Sequence, residues 1–280
     1  FLGFGVKAAV FPFHVWLPEA SVAPTPVTAL LHAVAVVKSG VFAIIRVTYF
    51  SFGAQVLRGT AAQSIALLLA SVTIVYGSTM AVKEHHFKRR LAYSTVSNLS
   101  YIVLAASLMT QSGLTASLAH MLFHALIKIT LFFCAGAVLC RTGREYIPDL
   151  AGLGRKMPVT FGCFTVAAVA LVGIPPLAGF VSKWSLLSAA ADAGTPMAYL
   201  GAGVLLTAAL LTAIYMFTTV SKAWFPSKSD DLRGLQTVRE ADWRMLVPMV
   251  LLAVGILVTG LCGEPIARAV AEIVRTGVGA

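Results

Sequence analysis

Residues Leu114 to Cys140 read LTASLAHMLFHALIKITLFFCAGAVLC, and the fold turns on this stretch. It contains no proline and is apolar for longer than the roughly 20 residues that carry a helix across the ~30 Å hydrocarbon core of a bilayer. Inside it stand His120, His124 and Lys128. Their i, i+4, i+8 spacing drifts only about 80° around a helix of 3.6 residues per turn. They form one polar stripe on an apolar cylinder. An ionisable side chain at membrane depth costs at least a few kcal/mol, so it marks a water path, a relay or a binding site.

The pattern repeats outward from there. Apolar spans run at about 1–17, 26–50, 62–82, 91–109, 114–140, 158–191, 196–221 and 243–262. Hydrophobic residues make up 58% of the chain and charged ones only 11%, against about 25% charged in soluble domains. The sequence predicts an all-α polytopic membrane protein, with residues 1–262 as an eight-span transmembrane domain and 263–280 as an amphipathic interfacial tail. Lys7, Lys38 and Lys183 join Lys128 inside apolar spans, and these spans hold no Asp or Glu at depth. That imbalance is the strongest functional signal in the chain.

The net charge of +10 does not point to nucleic acid, because no stacking aromatics interleave with the basic runs. The basic residues cluster instead in alternate loops. Lys83, Lys88, Arg89, Arg90, Arg141, Arg144, Arg155, Lys156, Lys222, Lys228, Arg233, Arg239 and Arg244 fall on one side, and Arg58, Arg268 and Arg275 on the other, with Arg46 near a helix end. The positive-inside rule places the first set in the cytoplasm of an inner membrane and the C-terminus outside.

Two spans are interrupted. Lys7 precedes Pro12 and His14; Lys183 follows Gly173-Ile174-Pro175-Pro176. Proline removes a donor and clashes with the preceding turn, so both segments read as broken helices. Carbonyls and amides freed at such breaks stabilise ions at depth, as in many transporters. In the second span His32 and Lys38 sit six residues apart on different faces, with Lys38 too central to reach either surface. His32 fits a structural hydrogen bond as well as transport. His14 and Trp16 read as interfacial anchors, and His85-His86 as an exposed loop rather than a metal site. Cys134, Cys140, Cys163 and Cys262 have no C-x-x-C, zinc or iron–sulfur spacing and read as small buried hydrophobes. The sequence implies no cofactor, no metal and no catalytic residue.

Histidine titrates near neutrality, and a desolvated amine gives up its proton more readily than one in water. The expected relay is Lys7, Lys38, Lys128, Lys183, His120, His124 and His32. A single histidine on a helix face would serve equally as structural glue; three groups in register favour proton transfer through intervening water.

Five stretches resemble the antiporter-like membrane subunits shared by respiratory complex I, membrane-bound hydrogenases and Mrp-type Na+/H+ antiporters. They are Lys7 to Ala20 (KAAVFPFHVWLPEA), Ala23 to Ala33 (APTPVTALLHA), Leu91 to Asn98 (LAYSTVSN), Met121 to Lys128 (MLFHALIK) and Gly173 to Lys183 (GIPPLAGFVSK). The resemblance runs nearly the length of the chain. It implies an antiporter-like helical bundle with inverted repeats and two broken helices, this chain corresponding to helices seven to fourteen of fourteen. By position, Lys7 and Lys183 resemble the lysines of the broken helices, Lys38 the bridging lysine and Lys128 the central one. His120 and His124 match central-axis histidines. The family's acidic partner of the first lysine would lie upstream of Phe1.

The resemblance implies a proton-translocating subunit of a multisubunit complex, working with other membrane subunits, the lipid bilayer, protons and, in the exchanging branch, Na+. His32 and Lys38 on one helix lean towards an Mrp-like or hydrogenase-associated member, and the first reading is an Mrp-type cation/H+ antiporter. The alternatives are a pump subunit of an NADH:quinone oxidoreductase or hydrogenase, and a non-conducting scaffold.

Overall fold

Helix α8 (Gln111–Thr142) is the axis of the bundle. The computed structural model describes residues 1–227 and 235–278. Lys228 and Arg233, counted above with the basic loops, lie outside the described residues. Thr110 caps α8 by accepting from Gly113 N at 3.0 Å, which satisfies one of the first-turn amides. The left-handed Gly143 ends the helix, returning its N–H to Leu139 O.

Helices α3 (Thr25–Ala33), α4 (Val36–Arg46), α6 (Ala61–Lys83), α7 (Phe87–Ser107), α12 (Pro196–Trp224) and α13 (Trp243–Leu261) complete most of the expected spans, with α1 (Leu2–Lys7), α2 (Trp16–Glu19) and α5 (Ala54–Leu57) near the N-terminus. By length and hydropathy, Thr25–Phe52, Ala61–Lys83, Gln111–Thr142, Pro196–Trp224 and Trp243–Leu261 can each cross a membrane. Among the described residues there is no strand, only the isolated bridge His86–Tyr146. The all-α membrane fold read from the sequence is the fold observed.

α7 is not among those five, and its position explains why. Every residue of it except Arg89 is buried, between α6, α8 and α12. A helix screened from lipid needs no apolar surface, so it can carry Ser94, Thr95, Ser97, Asn98 and Ser100 inward.

Both interruptions occur where expected. α1 stops at Lys7 and α2 resumes at Trp16. α10 (Pro158–Val172) and α11 (Ala178–Asp192) are separated by Gly173 to Leu177. A third break, without proline or glycine, separates α3 from α4: Val34 N and Ala35 N both donate to Leu30 O, at 3.1 and 2.9 Å. α9 (Leu153–Lys156) forms part of a segment that meets α10 at 114°.

The tail is the helix α14 (Gly263–Val278). Arg268 pairs with Glu264 and Arg275 with Glu272 on its exposed face, while Val274 is buried and Ile266 and Val270 pack against the core. α14 therefore lies against α8 rather than standing free.

Several sequence expectations need correction. Lys88 and Arg90, counted with the loops, are buried in the first turn of α7. His14 is not an interfacial anchor but is buried against Phe11 and Tyr76. His86 accepts from Arg89 N at 3.5 Å and caps α7, while His85 is exposed as expected. Only Cys134 and Cys163 are buried; Cys140 and Cys262, at helix ends, are exposed.

Candidate functional site

Three of the four lysines are seated on backbone carbonyls inside the bundle. Lys38, in the first turn of α4, donates to Met121 O on α8 at 3.0 Å. Lys128, fully buried on α8, donates to Leu91 O on α7 at 2.9 Å and to Ser94 Oγ. Lys183, half-buried on α11, donates to Leu171 O at 2.7 Å and Val172 O at 3.1 Å, the last carbonyls of α10. A helix end leaves its final carbonyls without intrahelical partners, so the α10–α11 break supplies the acceptors that seat this ammonium. Among the described residues no carboxylate reaches any of the three.

The histidines fill the space between. His120 and His124 stack with centroids 5.8 Å apart, which is the i, i+4 stripe seen in the sequence. His120 Nδ1 lies 2.9 Å from Ser182 Oγ, the neighbour of Lys183. His120 Nε2 and both nitrogens of His124 are buried without a protein partner. So are Asn98 Oδ1 and Ser100 Oγ on α7. Buried polar groups are ordinarily satisfied by protein or by ordered water, so this row of α7 and α8 groups is chemically suited to water.

His32 flanks the row. It stacks on Phe132 at 4.7 Å, one turn from Lys128, and its Nε2 lies 3.3 Å from Ser21 Oγ. Lys7 stands apart on an exposed face of the chain. The end of α1 nevertheless touches α4 through Gly40, where an added Cβ would stand 2.7 Å from Ala8 N and 3.0 Å from Lys7 Cβ.

At the other end of α8 a cavity of about 770 Å3 is lined by Gln111, Ser185, Ser188, Asp192, Arg268 and Arg275, among others. Ser182, Ser185 and Ser188 follow at three-residue intervals on α11, each about 60° round the helix from the last. Ser182 meets His120, and Ser185 and Ser188 line the cavity.

The sequence missed two residues here. Tyr101 stacks on His120 at 5.7 Å with its ring 5.5 Å from Lys183 Nζ, and a lone tyrosine in an apolar helix carries no sequence signal. Arg90 was hidden by its charged neighbours.

Residues 1–212 match the family described as NADH:quinone oxidoreductase/Mrp antiporter, transmembrane. The chain is 37% identical over 278 residues to NADH-quinone oxidoreductase subunit N of Desulforudis audaxviator, covering 94% of this chain and 54% of that protein. It is 31% identical to a chain of the membrane-bound sulfane sulfur reductase, an archaeal respiratory complex, with a TM-score of 0.87 over 99% of this chain and 54% of that one. It is 27% identical to a chain of the Mrp complex from a Dietzia species, with a TM-score of 0.86 over 98% and 57% respectively. The chain spans about half the length of the subunit N relative.

Proposed function

This chain belongs to the membrane-subunit family of NADH:quinone oxidoreductases and Mrp antiporters, and from that premise we propose that it moves protons through a multisubunit respiratory complex. Lys38, His124, His120 and Lys128 carry the lateral relay, and Lys183 exchanges with the far end. The observation that supports this reading best is that amines on α4, α8 and α11 are each seated on backbone carbonyls inside the bundle that holds the His120–His124 stripe, with no neutralising carboxylate among the described residues.

The arrangement favours stepwise transfer. Two unit charges ~7 Å apart at an effective dielectric of ~20 repel by ~2.4 kcal/mol. Charging one amine therefore discharges its neighbour, and the unpartnered imidazole nitrogens lie between donor and acceptor. Ser185 and Ser188 of α11 and the polar cavity that they line beneath α14 supply an aqueous opening. Lys7, exposed beside α4, senses an acidic partner elsewhere in the complex. His32 adjusts Lys128 through Phe132.

The relatives support two readings of the energy source. A quinone oxidoreductase subunit and a sulfur reductase chain support a pump driven by electron transfer on other subunits. Likeness to the Mrp chain supports the second reading, exchange of Na+ for H+. A Na+ gradient imposed on vesicles without an electron donor separates them: proton movement supports exchange, and its absence supports the driven pump.

Lys128→Ala in the reconstituted full-length complex is expected to cut proton translocation at least about tenfold, because the central donor is lost while the helix remains helical. Pumping at the unmodified rate would overturn the relay.

A further inference from the structure

Lys183 Nζ has three N–H donors. Two are met by Leu171 O and Val172 O, and the structure places the Tyr101 ring 5.5 Å from the same nitrogen. That is within the ~6 Å over which an aromatic face attracts a cation. The same ring stacks on His120 at 5.7 Å with the planes 29° apart. Tyr101 is fully buried, with Thr212 and Ser97 in reach of its hydroxyl, and the hydroxyl alone does not set the place of the ring. Its packing and its two ring contacts do. Tyr101, Gly173 and Lys183 also line a single cavity of about 260 Å3 beside the α10–α11 break.

We propose that Tyr101 is a positioning residue that couples the α8 histidine stripe to Lys183 through its aromatic ring. This inference rests on the relay reading above. The negative face of the ring holds the Lys183 ammonium against the freed carbonyls of α10, and the stack holds His120 in line with Ser182. A proton arriving on His120 sets a second positive charge against the same ring and so weakens the hold on the ammonium. One aromatic ring thereby joins two groups on different helices, α8 and α11. The hydroxyl is not part of the path.

The test keeps shape constant and removes only the ring's charge distribution. Phe is placed at position 101 of the full-length complex, followed by phenylalanines bearing one, two and three fluorines, and proton translocation is measured in proteoliposomes. Tyr101→Phe should pump within about twofold of the unmodified complex, and pumping should fall stepwise with fluorination, reaching on the order of a tenfold loss. Tyr101→Leu, where it assembles, should lose as much, and adding it to Lys183→Ala should cost nothing further. Equal pumping across the fluorinated series overturns the assignment, as does a large loss in Tyr101→Phe. Lys183→Ala alone separates the two levels. If it pumps normally, both the relay and the role of Tyr101 fall; if it is impaired while the fluorinated series is not, only the Tyr101 inference falls.

Discussion

Arg90 and Lys128 show what burial does to a cation in a membrane bundle. Arg90 belongs to a charged run in the sequence, whereas Lys128 stands alone in apolar surroundings, so only Lys128 could be singled out. Arg90 sits beside Lys88 and Arg89 and looked solvated. In the structure it donates to Glu84 O at 3.0 Å, Tyr215 O at 3.1 Å and Thr219 Oγ1 at 3.0 Å, tying the end of α6 to α12. The planar guanidinium reaches several acceptors at once, which an ammonium cannot. Arg90→Met strands these buried acceptors, and hydrogen bonds to a charged group are worth ~1.5–3 kcal/mol each. The variant should lose ~3 kcal/mol or more of stability, read as a lower midpoint of thermal unfolding in detergent. Pumping per assembled complex should stay unchanged, since Arg90 touches none of the relay groups. A normal unfolding midpoint would show that the α6–α12 tie carries no weight.

At the scale of elements, the proline breaks were legible and the break at Val34 was not. Proline interrupts a helix by covalent constraint, so the sequence alone reveals it. Val34 and Ala35 are ordinary helix residues; their break depends on tertiary packing, which one segment cannot encode. The α10–α11 break has a further requirement that only the packing shows. A Cβ at Gly179 would overlap the Ala170 carbonyl, so only glycine lets α11 begin this close to α10 and bring Lys183 to Leu171 O and Val172 O. Gly179→Ala should push the helices apart, reduce the yield of assembled complex, and lower pumping in what does assemble. Gly203, also helical, has nothing within 4 Å of its added Cβ. Gly203→Ala should be neutral or stabilising by up to ~1 kcal/mol. Equal behaviour of the two variants in a thermal-shift and pumping comparison would mean that the break tolerates a wider separation.

For the molecule as a whole, the charge asymmetry acquires a geometry. The loop before α7 pairs with the segment after α8 through Phe87 N to Glu145 O at 2.7 Å and the bridge from His86 to Tyr146. Gly152 N donates to Lys222 O at 3.3 Å, bringing the end of α12 to the same place. Cys140, at the end of α8, and Arg244, at the start of α13, line one cavity. The described basic loops thus gather at one end of the bundle, whereas Gln111, Asp192 and α14 enclose the polar cavity at the other. α8 connects the two ends, so cysteines at Arg141 and Gln111 report opposite faces of the membrane. With Cys140 and Cys262 replaced by alanine, the two thiols that remain, Cys134 and Cys163, are buried and should not react. The positive-inside rule then sets the outcome. In intact cells an impermeant maleimide should label Gln111→Cys and spare Arg141→Cys, which should react only after the membrane is opened. The reverse pattern would turn the bundle over, and the polar cavity under α14 would then face the cytoplasm and take protons up instead of releasing them.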